Sequence, residues 1–160
     1  MALTREQRER LSRVRMFVLD MDGTIYLGER LFPFTVGFLQ KVRNTGRDFC
    51  FFTNNSSKNR EAYLEKLSRM GIPVPPEKML ISNGVILEWL KERHPGARCW
   101  VVGTPFLQED FRKAGFTPDD PEADLVILGF DTTLTYEKLR VACDPVSYTH
   151  LRAHETTLHL

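Results

Sequence analysis

The sequence predicts an α/β fold built on a parallel sheet, and three observations carry that expectation. Four runs of four apolar residues, Met16 to Leu19, Phe49 to Phe52, Cys99 to Val102 and Leu125 to Leu128, are rich in β-branched or aromatic side chains and bounded by polar or turn residues. They are continuous rather than alternating, the pattern of strands buried on both faces of a parallel sheet. Helical stripes lie between them, so strand and helix alternate along the chain, which calls for right-handed crossover connections.

Taken in order, Thr4 with Gln7 resembles a capping box that opens a short leading helix. Its five arginines from Arg5 to Arg15 are interleaved with Glu6 and Glu9. A mitochondrial presequence would be acid-poor, so a solvated helix is expected. After the first strand, Val36, Leu39, Val42 and Arg43 follow helical spacing, and Gly46 can stop that helix in a left-handed turn. Beyond the second strand, Tyr63, Leu67 and Met70 form the next stripe, ended by Gly71 with Pro73 following. A weaker strand is expected at Met79 to Ser82. Thr104 and Pro105 read as an N-cap and first helical residue after the third strong strand. Tyr136 to Cys143 reads as a helix capped by Thr135.

Composition narrows the function classes. The 160 residues are 42% apolar, with 22 basic and 21 acidic side chains and a net charge of +1. That is an ordinary globular balance, not a disordered or fibrous one. A chain of this size buries roughly 70% of its surface, enough for one real core. A dedicated nucleic-acid binder would show a clustered basic excess, and no apolar run is long enough to span a membrane. No secretory apolar region follows the N-terminus. Cys50 and Cys99 sit inside apolar runs and read as buried reduced thiols; with Cys143 they make an odd number and no C-x-x-C spacing. A cytoplasmic protein is expected, with neither a nucleic-acid nor a membrane partner.

Residues 145–160 break the rhythm. Three of the four histidines lie in this stretch. His150 and His154 are four apart with Glu155 next, which could mimic a metal site on one helix face. The run from Ser147 to Thr156 also resembles a translated sequencing-adapter scar, and an ordinary surface tail is the third reading. A non-native tail is the expectation, and it is set aside from fold reasoning.

The first strand leads into Asp20-Met21-Asp22-Gly23-Thr24. Ligands of open α/β sheets bind at the carboxyl ends of the strands, and a period of two points Asp20 and Asp22 the same way. Two close carboxylates repel, and a divalent cation or a shared proton relieves them. An EF-hand loop would need glycine at its sixth position and an acid at its twelfth. Counting from Asp20, these are Ile25 and Leu31, so that reading fails. A phospho-accepting receiver domain would carry its acceptor on a later strand; a plain turn with solvated aspartates stays open. The second strand ends in Thr53-Asn54-Asn55-Ser56-Ser57 directly before an expected helix, where a hydroxyl, amides and free N–H groups could cradle a phosphate.

Together these stretches resemble the first two motifs of the haloacid dehalogenase-like phosphatases. Ile81-Ser82-Asn83-Gly84, Val101-Val102-Gly103-Thr104, Leu128-Gly129-Phe130-Asp131 and Thr135-Tyr136-Glu137-Lys138-Leu139 sharpen the likeness toward the subfamily of NagD-type, 4-nitrophenyl phosphate and pyridoxal phosphate phosphatases. It covers about residues 14–144. The resemblance implies a Rossmann-like core over 1–82 and part of an α/β cap over 83–144. It implies that Asp20 is the nucleophile, that Asp22 is the general acid and base, and that both take part in holding Mg²⁺. Gly23, Thr24, Thr53, Asn54 and Asn55 would hold a small phosphorylated metabolite. A homodimer through the cap is a further implication. Lys58, two residues past the second motif, reads as a surface residue at a helix start, because the family's lysine motif follows the cap.

Nothing after Asp131 supplies that lysine or the further metal-ligand aspartates. On the order of 100 more residues would complete cap and core, so an N-terminal fragment is expected. Two functions stay open: a Mg²⁺-dependent phosphatase present as a fragment, or a short form that binds phosphate or a protein partner without turnover.

Overall fold

The computed structural model describes residues 4–146. The alternatives weighed for the tail, including a metal site at His150, His154 and Glu155, lie outside the described residues. The chain divides between Gly84 and Val85 into two compact units.

The first unit carries α1 (Arg5–Ser12), β1 (Met16–Asp20), β2 (Tyr26–Leu27), β3 (Arg30–Leu31), α2 (Thr35–Asn44), β4 (Asp48–Thr53), α3 (Arg60–Arg69), a single 3₁₀ turn at Pro76–Lys78, and β5 (Met79–Ile81). The Thr4 capping box is present: the Gln7 amide donates to Thr4 Oγ1 at 3.2 Å and the Thr4 amide to Gln7 Oε1 at 2.9 Å. The three longer strands form a parallel sheet in the order β1-β4-β5, with Asp20 opposite Phe52 and Thr53 opposite Ile81. The helix stops at Gly46 and Gly71 take positive φ, as the sequence suggests.

Residues in register on parallel strands share a face, so this sheet has two unlike sides. Phe49, Phe51, Met79 and Ile81 are buried against Leu39 and Val42 of α2 and Tyr63 and Leu67 of α3. On the other side Met16, Phe52 and Leu80 are exposed and Val18 is 63% exposed. The expectation of burial on both faces is therefore corrected: α2 and α3 pack on one face, and β1 alternates between exposed and half-buried positions. Cys50 shares the open side and is half-buried rather than buried; Cys99 is buried, and no disulfide forms among the described residues.

The second unit contains β6 (Cys99–Val102), α5 (Pro105–Lys113), β7 (Leu125–Leu128) and α6 (Tyr136–Val146), preceded by most of α4 (Ser82–Arg93). Strands β6 and β7 pair in parallel. Leu87, Leu90, Cys99, Val101, Leu107, Phe111 and Phe116 form its core. Thr104 caps α5, accepting from the Leu107 amide at 3.5 Å, and Thr135 Oγ1 accepts from the Lys138 amide at 3.2 Å.

Two features differ from the sequence-based expectation. The β2–β3 hairpin was not anticipated, because two-residue strands carry no period. Ser82 ends no strand; it opens α4, a helix whose Asn-Gly start and Val-Ile-Leu run hide its periodicity. The domain boundary expected after residue 82 and the division after Gly84 both fall at the start of this helix.

Candidate active site

Strand β1 delivers Asp20 to the carboxyl edge of the sheet, and a tight turn follows. The buried Met21 anchors it: the Met21 carbonyl accepts from the Thr24, Ile25 and Tyr26 amides at 3.2, 2.9 and 3.3 Å, while the Gly23 amide donates to the Tyr26 carbonyl at 2.8 Å. Gly23 has φ of +78°, a conformation that costs a residue with Cβ strain. With Met21 turned inward, Asp20, Asp22, Gly23 and Thr24 are left exposed. Thr24 Oγ1 donates to Asp20 Oδ2 at 3.3 Å. Neither aspartate forms an ion pair among the described residues.

Two phenols lie close to Asp22. Tyr26 is fully buried, and its hydroxyl makes no hydrogen bond of full geometry. Burial, reinforced by the Asp22 charge, raises its pKa well above the usual phenol range. Tyr63 is pushed up to about 12 by burial and by the same charge; its hydroxyl donates to the Asn55 carbonyl at 3.0 Å. Both therefore remain protonated near neutral pH. Lys66 Nζ, buried on α3, lies 3.9 Å from the Tyr26 ring centroid and 3.5 Å from Glu29 Oε1.

Strand β4 ends one residue beyond the partner of Asp20, so Thr53 and Asn54 reach the same edge. Thr53 is buried, and its Oγ1 accepts from the Asn55 amide at 3.1 Å. Asn54 is exposed, and its carbonyl accepts from Ser82 Oγ at 3.2 Å. Asn55 Oδ1 accepts from the Ser57 amide at 3.0 Å, which closes the loop. The expectation of a helix directly after this run is corrected. Helix α3 begins only at Arg60, and Asn59 Oδ1 accepts from the Ala62 amide at 3.0 Å to cap it. Lys58 lies in the turn before that helix, half-buried, with its carbonyl accepting from Asn83 Nδ2 at 3.2 Å.

Sequence reasoning found the carboxylate pair and the Thr-Asn run but missed Tyr26 and the second role of Tyr63. Tyr63 read as one rung of a core stripe, and nothing in the linear pattern places either phenol beside Asp22. The donor set suits Mg²⁺, which prefers hard oxygens and is commonly bound by one or two carboxylates with water and phosphate oxygens completing its shell. The Asp20 carboxylate is such a donor and is open to solvent; a backbone carbonyl such as that of Asp22 is a second hard oxygen, which leaves the exposed Asp22 carboxyl for proton transfer. Among the described residues no group of three or more potential metal-ligating side chains occurs.

Residues 17–117 match the family model of the haloacid dehalogenase-like hydrolases. An acid sugar phosphatase of Staphylococcus aureus is 31% identical over 133 residues, which cover 82% of this chain and 51% of that protein. A crystal structure of a 4-nitrophenylphosphatase from Thermotoga maritima matches 86% of this chain and 53% of its own, with 40% identity and a TM-score of 0.79. NagD from E. coli K-12 shares the fold over 84% of this chain with a TM-score of 0.72, at 24% identity. The chain spans about half the length of the relatives it matches.

Proposed function

The chain belongs to the haloacid dehalogenase-like hydrolases, and on that premise we propose that it supplies the nucleophile and the phosphate-holding residues of a Mg²⁺-dependent phosphatase for small phosphate monoesters. The observation that carries this reading is the exposed, unneutralised Asp20 and Asp22 pair at one strand end beside Thr53 and Asn54 at the next.

An Asp20 carboxylate oxygen attacks phosphorus, the ester P–O bond breaks, and an aspartyl phosphate forms on Asp20. Asp22 gives its proton to the departing alkoxide oxygen. It then takes a proton from the water that hydrolyses the acyl phosphate, which returns Asp20 to its starting state. Thr24 holds one Asp20 oxygen through its hydroxyl, so the attacking oxygen is the other one. The protonated phenols of Tyr26 and Tyr63 line the Asp22 side of the turn without adding negative charge. Thr53, Asn54 and Asn55, with the backbone of Gly23 and Thr24, hold the transferring phosphoryl oxygens. Bound Mg²⁺, held by the Asp20 side chain and the Asp22 backbone carbonyl, would neutralise charge on the phosphoryl group and leave the Asp22 carboxyl to carry the proton. Positioning and charge neutralisation together are the main sources of acceleration in phosphoryl transfer.

The substrate class extends from the relatives, whose names, acid sugar phosphatase and 4-nitrophenylphosphatase, both denote small phosphate monoesters; for this chain the expected one is a small phosphorylated metabolite. Cytoplasmic residence and a dimer through the second unit belong to the same reading. The test is a chimera in which residues 1–144 of this chain continue into the second half of the Thermotoga maritima 4-nitrophenylphosphatase. Hydrolysis of 4-nitrophenyl phosphate that needs Mg²⁺ and passes through an acid-stable phosphoprotein is the expected result. Equal turnover in excess chelator overturns the metal assignment, and a phosphoprotein that survives Asp20→Asn overturns the nucleophile.

A further inference from the structure

A cavity of about 550 Å³ opens in the first unit between α1 and α2, lined also by β1 and Arg47. Its volume falls within the range of small-molecule sites. The lining is mainly apolar: Leu11 from α1, Phe17 from β1, and Phe38 and Val42 from α2. Phe17 and Phe38 meet edge to face with ring centroids 5.9 Å apart. None of these residues belongs to the strand-end site.

Three cations, Arg8, Lys41 and Arg47, also line the cavity, and no acidic residue does. Arg47 is held in place: its Nε donates to the Val14 carbonyl at 2.9 Å and its Nη2 to the Ser12 carbonyl at 3.3 Å. Arg8 and Lys41 have no side-chain partner among the described residues. Helix α1 itself buries no residue. An apolar concavity with a concentration of like charge attracts a counter-ion of the opposite sign, and its apolar lining favours a counter-ion with an apolar body.

We infer that this cavity binds a small free amphiphilic anion, an acyl carboxylate whose chain lies on Leu11, Phe17, Phe38 and Val42 and whose head group takes Arg8 and Lys41. The guanidinium fork of Arg8 matches a carboxylate's two oxygens. A lipid surface fits less well. Helix α1 is eight residues long with Leu11 as its one large apolar side chain and two glutamates, Glu6 and Glu9, whereas interfacial helices carry a broad apolar face. Ligand binding would couple α1 to α2; Arg47, three residues past α2, already reaches the Ser12 carbonyl at the end of α1.

The experiment uses the full 160-residue chain titrated with octanoate, followed by amide NMR and calorimetry. Saturable one-site binding is expected, with shifts concentrated at Phe17, Phe38 and Lys41. Arg8→Glu and Lys41→Glu lie at exposed helix positions and should keep the thermal melt while weakening Kd by about tenfold or more, the scale of a hydrogen bond to a charged group. Octanol, with the same chain and no charge, should bind at least that much more weakly. Val18→Glu, on the open sheet face, should change nothing and so separates this cavity from the other exposed apolar surface. The inference is overturned if octanoate does not saturate, if both charge reversals leave Kd unchanged, if octanol matches octanoate, or if Val18→Glu abolishes binding. Binding to phosphatidylglycerol vesicles without binding of free octanoate also overturns it.

Discussion

Two strands in this molecule, β1 and β7, run into turns that carry aspartates, and the two turns have opposite electrostatics. After β7, the Asp131 side chain is only 2% exposed, with Lys138 Nζ 2.7 Å from Oδ2. The Thr133 amide and hydroxyl both donate to Oδ1 at 2.7 Å. Lys138 also donates to the Gly103 carbonyl at 2.9 Å, tying the β7–α6 turn to the β6–α5 turn. Burial by itself would raise the Asp131 pKa, but the hydrogen bonds from Lys138 and Thr133 prevail and hold it below the usual carboxylate range. After β1, Asp20 and Asp22 are open to solvent and form no ion pair among the described residues. A carboxylate at a strand end is therefore not in itself a site. One turn uses its charge to fix a fold; the other leaves its carboxylates exposed, as the proposed phosphate site requires.

The largest test of that contrast is Asp20→Asn in the chimera. An amide cannot act as this nucleophile, so acyl-phosphate formation and turnover should both vanish, a loss of about 10⁴-fold or more. Radiolabel trapped on the protein after acid quench reads it directly, and near-normal labelling would reverse the assignment. Asp22→Asn should be milder, slowing formation and breakdown of the intermediate by about 10² to 10⁴, the usual worth of acid–base catalysis. If only one of the two steps slows, a group other than Asp22 serves the second step.

On the neutralised side, Lys138→Met should leave turnover chemistry intact but cost about 3 kcal/mol of stability, because it strands Asp131 as a buried unpaired charge. Urea unfolding of the native chain against the variant measures it. The pH dependence sharpens the point. A depressed folded pKa means that Asp131 contributes stability above the ordinary carboxylate pKa of about 4, lost as pH falls through the folded value. In Lys138→Met that contribution is gone and protonation relieves the stranded charge. The gap between wild type and variant should therefore shrink as pH drops from 7 toward 3; a constant gap would mean the pair carries no net electrostatic stability. The smallest expected effect is Thr24→Val, which removes one 3.3 Å hydrogen bond to Asp20. It should lower kcat by roughly two- to tenfold, as expected for a single hydrogen bond, without moving the melt.

Much of the fold was legible in the sequence because its signals are local. Each apolar run forms a strand, and the capping residues Thr4, Thr104 and Thr135 act where their side chains bond an amide a few residues away. Helix α4 was not legible, since Ser82-Asn83-Gly84 resembles a turn and the apolar residues that follow show no stripe. The start of α3 was placed too early for a related reason: Asn54, Asn55, Ser56 and Ser57 are all credible caps, and only the folded backbone selects Asn59.

The candidate site divides in the same way. The sequence by itself determined the two chemical segments, Asp20 to Thr24 and Thr53 to Asn55, because a strand's end and a residue's donor chemistry are properties of short stretches. Tertiary structure decided that these segments share one sheet edge, since the β1–β4 register joins residues more than thirty positions apart. It also decided which carboxylates stay free. Asp20, Asp22 and Asp131 are alike as letters, and only packing brings Lys138 to one of them and two buried phenols to another. The same holds for the sheet's two sides: four apolar runs cannot state how many helices cover them, because burial depends on where the neighbouring elements come to rest.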